Sequence, residues 1–530
     1  MGRQANEEAL IRIRKQEAFA VWPWPDRLIF FLLAIYGVLV LGSLLFSHIH
    51  FLPAEDAIIL HQYSRNLAEH GAITYYAGGP HTEGATDFGW MLFLAAAMRA
   101  GISPMLGTAL VNALSLCFIA IALLKIARIR LNAFHVLAIA GAAGLVPQIM
   151  AALSDFAVLP EALLLTLLVA ATLEQRSFLA PLLAFVLCLF RPDGVLFAIP
   201  LLIWLVWMSN QRTRRIYAIA AFFIVPGILY FVWRAHYFGE LFPLPFLVKA
   251  DVHRFLGILV PHSFSQSLKY LLLDAALIAP LLKQRCIRRP LVLSLLAIPT
   301  LFYWAMRLDQ NVGDRFFFYI PLAAAILIAT CWNSIDQRRR SILLRTGAIA
   351  FLILMFGPLR REVRTFRDYQ FQNVQAIAAG LQQLPSRGTL LTSEAGYLAY
   401  GSDWITYDPW GLNTARFAKH FIQPEDVAAL HPDLIALHPD IATDCTPTPQ
   451  WPQSYPDRAW EHMVRNVALG AHNAGAYELW FISYGSNFYR TRKHWQYGEG
   501  DPECFFLNRN STNYAGMRSL LQQHHGHLAK

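Results

Sequence analysis

The sequence predicts a polytopic α-helical membrane protein, with about eleven transmembrane helices and a C-terminal α/β extracytoplasmic domain. Three observations carry this. Hydrophobic residues make up 56% of the 530 positions and charged residues only 15%, where globular chains sit near ~25% charged. The apolar residues come in long runs between Arg27 and Pro358, after which the chain turns polar and mixed. Arg and Lys gather in short loops between the runs, as the positive-inside rule produces. The division is therefore a transmembrane domain at residues 1–358 and a soluble domain at 359–530, long enough for its own core.

The stretch from Met1 to Trp24 is polar and charged and lacks the short apolar region of a cleavable signal peptide. The first run, Leu28 to Phe46, is long enough to span and is expected to be retained. Further spans are expected near 105–127, 132–150, 158–174, 177–190, 195–209, 216–234, 267–282, 290–306, 316–334 and 342–358. Basic clusters set the sides: Arg12, Arg14 and Lys15; Lys125, Arg128 and Arg130; Arg212, Arg214 and Arg215; Lys283, Arg285, Arg288 and Arg289; and Arg338, Arg339 and Arg340. Placing all of them in the cytoplasm makes Phe88 to Arg99 an interfacial helix. It also puts the N-terminus inside and the 49–104 loop, the later loops at 151–157, 191–194, 235–266 and 307–315, and the tail outside. In a bacterial inner membrane that outer face is the periplasm. It holds no ATP or nucleotide sugar, so an enzyme there needs a pre-activated, membrane-delivered substrate. The net charge of +9 follows from the loop clusters. No basic stripe or reading motif accompanies it, which argues against a nucleic-acid partner.

Cys117, Cys188, Cys286 and Cys331 fall in or beside spans, where a thiol behaves as a small hydrophobe. Cys445 and Cys504 are the two in the tail. In an oxidising compartment they suit a disulfide, while two buried thiols remain the alternative.

The first loop opens with Glu55 and Asp56 at the start of an amphipathic helix, where the helix dipole favours negative charge. Taken alone, that pair reads as a cap. Glu83, Thr86, Asp87 and Trp90 follow a Gly-Gly-Pro turn, with Trp90 either an interfacial anchor or a stacking floor for a sugar. Later outer turns carry Arg191 and Asp193; Tyr237 and Lys249; and Asp309, Asp314 and Arg315. Ionisable groups at such depth usually face a cavity. Arg191, Arg234, Lys249 and Arg315 have the chemistry to bind phosphate, although single cations there commonly snorkel to the interface. Glu161, inside a span, is hard to explain as mere structure, although pairing with a nearby cation would do. There is no metal-ligand motif, phosphate-binding glycine loop or nucleophile elbow.

Taken in order, these segments resemble the GT-C superfamily of polytopic glycosyltransferases, in particular its terminal arabinofuranosyltransferase-like branch. The first loop supplies Glu55-Asp56-Ala57, Tyr63-Ser64-Arg65-Asn66-Leu67, Gly71, and Glu83-Gly84-Ala85-Thr86 with Trp90. Arg191-Pro192-Asp193-Gly194, Tyr237-Phe238-Gly239 with Pro243 and Lys249, and Asp309 with Asp314-Arg315-Phe316 follow. The tail adds Glu394-Ala395-Gly396 and Asp408-Pro409-Trp410-Gly411-Leu412-Asn413. Glu55 departs from the family's usual Asp.

The resemblance implies transfer of a sugar from a polyprenyl-phosphate donor to an envelope glycan or lipid acceptor on the periplasmic face, with inversion at the anomeric carbon. A pentofuranose such as arabinofuranose is the sugar it suggests. Asp56 is then the expected base and Glu55 its partner. Lys249, Arg191 and Arg315 are the phosphate candidates, and Arg65, Glu83, Thr86, Trp90, Asp193, Tyr237, Asp309 and Asp314 are expected around the substrate. The adjacent acids leave room for a divalent cation without predicting one. A transporter or flippase of lipid-linked sugars is the alternative, and it would call for mid-membrane carboxylates and an internal repeat. A third reading is a non-catalytic assembly protein whose tail does the binding.

Overall fold

A computed structural model of the chain describes residues 23–84, 86–146, 148–249, 261–281, 287–305, 312–354, 372–439, 445–482 and 503–528. Helix α1 (Trp24–Leu45) leads into the 49–104 segment, which holds α2 (Glu55–His70) and α3 (Phe88–Arg99). Next come α4 (Pro104–Ile126), α5 (Ala133–Ala143), α6 (Val158–Leu173), α7 (Leu179–Phe190) and α8 (Val195–Trp207). The helical part continues with α9 (Arg212–Phe238), α10 (Pro261–Ile278), α11 (Arg289–Ala305), α12 (Gly313–Ser334) and α13 (Gln337–Leu354).

A helix thus occupies every apolar run. Four of them, α1, α4, α9 and α12, are long and apolar enough to cross a membrane. Helices α3, α5, α6, α7, α8 and α11 are apolar but shorter. Leu165, Leu168, Ala184, Leu187, Phe197 and Leu201 pack with Phe317 and Leu327 in the main helical core. Outward, Leu39, Ile203, Leu229, Leu301 and Ile353 stay more than half exposed. A water-facing surface rarely leaves so much apolar area open.

The C-terminal domain is a six-stranded mixed sheet in the order β2-β1-β3-β5-β4-β6. In chain order it comprises α14 (Gln372–Gln382), β1 (Thr389–Thr392), α15 (Tyr397–Ser402), β2 (Ile405–Tyr407), α16 (Pro424–Leu430) and β3 (Leu434–Leu437), then α17 (Trp460–Ala474), β4 (Tyr477–Ile482), β5 (Glu503–Asn508), α18 (Tyr514–Gln523) and β6 (His527–Leu528). Strand β1 pairs parallel with β2 and β3, and β5 runs antiparallel to β3 and β4.

Strand side chains alternate between the faces with period two. Leu390, Leu434, Ala436, Phe505 and Leu507 pack under α14, α15 and α18. Leu391, Ile435, Leu437 and Phe506 pack under α16 and α17. Cys445 and Cys504 form a disulfide with Cα atoms 6.4 Å apart, the first of the two sequence alternatives. Cys117 and Cys188 are free thiols. Cys331, expected to be a small apolar filler, is instead disulfide-bonded.

The loops that follow the parallel strands β1 and β2 meet the 49–104 segment. This is the carboxyl edge of the sheet, where α/β proteins place their working residues. Tyr75 donates its hydroxyl to Ala395 O at 2.6 Å. Tyr63 donates to Asn413 Oδ1 at 3.2 Å and accepts from the Gly84 amide at 3.0 Å. Ile58 of α2 lies in the core of the sheet domain. Ala395 and Ala399 lie in the core of the 49–104 segment. The two regions therefore share buried surface, and neither is a separate appendage.

Candidate active site

Glu55 and Asp56 occupy the first turn of α2, and their side chains do different things. Glu55 Oε1 accepts from the Gly396 amide at 2.6 Å and the Tyr397 amide at 3.1 Å. It therefore caps α15 of the sheet domain, using the free N–H groups of that helix start. Loss of hydration pushes the Glu55 carboxyl well above the usual carboxylate range, and the charge of Glu394 adds to this. The Gly396 and Tyr397 amides pull the other way. Close by, the Tyr397 hydroxyl donates to Pro53 O at 2.5 Å. A Cβ on Gly396 would stand 2.4 Å from Glu55 O, so only glycine lets the two chains approach this closely.

Asp56 turns to the helical part. Its Oδ2 accepts from Arg315 Nη2 at 2.8 Å, and its side chain keeps 28% exposure. Arg315 lies in the first turn of α12, just after Gly313 (φ 62°) and Asp314 (φ 53°), which are both left-handed and kink the helix start. Glycine reaches that region at no steric cost, and Asp more readily than most residues. The Arg315 guanidinium lies 4.0 Å above the Phe156 ring. Its Nε and Nη1 are buried and have no hydrogen-bond partner among the described residues.

A second arginine stands behind the first. Arg191 sits 4.9 Å from the ring centre of Phe316, and Arg315 sits 5.1 Å from the same ring. Arg191 is held by Asp193, with contacts of 3.0 and 2.8 Å. It also pairs with Glu161 at 3.4 Å, which gives this acid in α6 the structural account that a nearby cation provides. Tyr303 donates its hydroxyl to Asp193. Burial raises the Asp87 carboxyl, while Arg191 and Arg315 act to lower it, so Asp87 lies in the field of both cations. Asp314 binds Lys269 and the Tyr270 hydroxyl.

The other candidates stand elsewhere. Arg65 donates to Tyr400 O at 2.9 Å and stacks on the Tyr400 ring at 4.5 Å, bracing α2 against the sheet domain. Trp90 is 1% exposed and stacks on Phe93, so it packs a core and offers no open ring face. Thr86 donates its hydroxyl to Asp87 Oδ1 at 3.1 Å. Tyr237 accepts from the Ile73 amide at 2.9 Å and stacks on His81.

Glu83 is buried against Arg234, which engages this arginine and keeps it from acting as a free cation. The pair lines a cleft of about 150 Å³ that also touches Phe242 and Lys419. A larger hollow of about 480 Å³ lies among Gln175, Arg176, Arg214 and Arg215 and includes none of the candidate residues. Lys249 closes a short helix, Leu244–Lys249. Its side chain and all of Asp309 lie outside the described residues.

Several partners escaped the sequence reading. Lys269 could have been found as a lone lysine in an apolar run. Tyr303 and Phe156 carry no such signal. Among the described residues, no group of three or more His, Cys, Asp or Glu is arranged to hold a metal. The charge opposite Asp56 comes from Arg315.

Residues 361–495 match a family described as a domain of unknown function (DUF8728). This match covers α14 through β4 and includes both sheet-edge loops that meet the 49–104 segment. No curated protein matches the chain, and no solved structure does.

Proposed function

We propose that the protein is an inverting membrane glycosyltransferase. It moves a sugar from a polyprenyl-phosphate donor to an envelope glycan or lipid acceptor on the outer face of a bacterial inner membrane. Eleven crossings with the N-terminus in the cytoplasm follow from the loop charges, and they leave the sheet domain and the 49–104 segment in the periplasm.

The observation that carries the proposal is the Asp56–Arg315 pair. A partly exposed carboxylate stands 2.8 Å from an arginine whose buried Nε and Nη1 lack partners among the described residues. Transfer from a lipid phosphate needs such neighbours. The Asp56 carboxylate takes the acceptor hydroxyl proton as that oxygen bonds to C1. The bond from C1 to the phosphate oxygen breaks, and its electron pair leaves with the polyprenyl phosphate. Arg315 offsets the charge there, while Arg191 is engaged by Asp193 and Glu161. Glu55 is a positioning residue, since its carboxyl is engaged by the Gly396 and Tyr397 amides.

The test is donor consumption in lipid-reconstituted protein across a panel of polyprenyl-phosphate sugars. Wild type consumes at least one donor, and Asp56→Asn lowers the rate by about 100-fold or more. Undiminished turnover in that variant overturns Asp56 as base. A wild type that consumes no donor overturns the transferase proposal. Movement of intact donor across the bilayer without consumption would support the transporter alternative instead.

A further inference from the structure

Carboxylates and phosphates engage a guanidinium best through two parallel N–H bonds. Each edge of arginine that can make such a pair includes Nη2, joined with Nε on one side and Nη1 on the other. In Arg315 it is Nη2 that Asp56 holds, while Nε and Nη1 are buried without partners among the described residues. An anion approaching by either edge meets the Asp56 carboxylate at the shared nitrogen, and two negative groups there repel.

The two partners of this pair are not equally enclosed. Arg315 is 10% exposed and stacked on Phe156 at 4.0 Å. Asp56 is 28% exposed and attached through one oxygen. The acid is the group that can give way.

Taking Arg315 as the phosphate-binding cation of the proposed transferase, we infer that a phosphate group and the Asp56 carboxylate compete for Arg315, so that the seated donor releases its own base. Without donor, the carboxylate is tied to the arginine. With donor, the phosphate takes the guanidinium and Asp56 is free to accept the acceptor proton. Binding is then ordered, donor before acceptor, and the empty site does not activate water.

The experiment measures binding of farnesyl phosphate and of inorganic phosphate to the full-length protein in nanodiscs. Competition predicts that Asp56→Asn binds farnesyl phosphate at least about 5-fold more tightly than wild type, the lower end of ordinary coupling between sites. Arg315→Gln weakens binding about 10-fold or more. A gain with both probes shows that the phosphate group alone suffices. A gain with farnesyl phosphate only shows that the prenyl chain is required as well. Equal or weaker binding by Asp56→Asn overturns the competition. If Arg315→Gln still loses affinity in that case, the phosphate role of Arg315 survives. Wild type and Asp56→Asn both failing to bind either probe overturns that role as well. The decision rests on Asp56→Asn, whose half-exposed side chain can change without emptying a core.

Discussion

At the scale of single residues, the informative contrast is between acids that look alike in the sequence. Asp56 keeps an open face, Glu55 is spent on two backbone amides, and Glu83 is buried against Arg234. Burial pushes the Glu83 carboxyl from its ordinary 4.5 up to about 7, although Arg234 pulls it down. Between those values the folded protein binds more protons here than the unfolded chain does. The contribution of Glu83 to stability is therefore full below about pH 4.5, declines as pH rises, and is gone above about 7. Wild type should lose stability relative to Glu83→Gln across that window in thermal unfolding. A gain would mean that Arg234 outweighs burial.

At the scale of elements, the contact of α2 with α15 sets the site. Capping usually satisfies the start of a helix from its own chain neighbours. Here Glu55 satisfies α15 from a position 341 residues away. Gly396→Ala places a Cβ against Glu55 O and should force the two helix starts apart. We expect a stability loss of about 1–3 kcal/mol, the cost of leaving such buried groups unpaired, together with a drop in transfer because Asp56 shifts with Glu55. Unfolding and donor-consumption assays on the same preparation check both. Loss of stability with unchanged transfer would show that α15 does not position Asp56.

At the scale of the whole molecule, the sheet domain covers the 49–104 segment, so its integrity and the activity should fail together. The Cys445–Cys504 link closes a 59-residue separation, worth about 4 kcal/mol in the loop-entropy picture. Replacing both cysteines with alanine should lower the unfolding midpoint of the sheet domain and the midpoint of thermal inactivation by the same amount. Tryptophan fluorescence follows the first, and donor consumption follows the second. Activity that outlasts sheet melting would assign the domain to acceptor recognition alone.

Much of this layout was legible in the chain. The apolar runs, the polar turn after Arg360 and the loop charges are local properties of composition and period, and helices stand where the runs predict them. The sheet domain and its tail cysteines were equally open to reading. The candidate site was legible as a set of residue types, since Glu55, Asp56, Arg191, Asp193 and Arg315 stand out as charges where charge is costly. What each one touches was not legible. Asp56 meets Arg315 across 259 residues, and no spacing rule reaches that far. Trp90 had the composition of a sugar floor and became core. Arg234 had the chemistry of a phosphate ligand and was taken by Glu83. The sequence by itself determined the helical and sheet regions and the pool of chemical groups. Only the tertiary structure decided which acid stays open, because exposure and pairing depend on neighbours that the chain brings together through its fold.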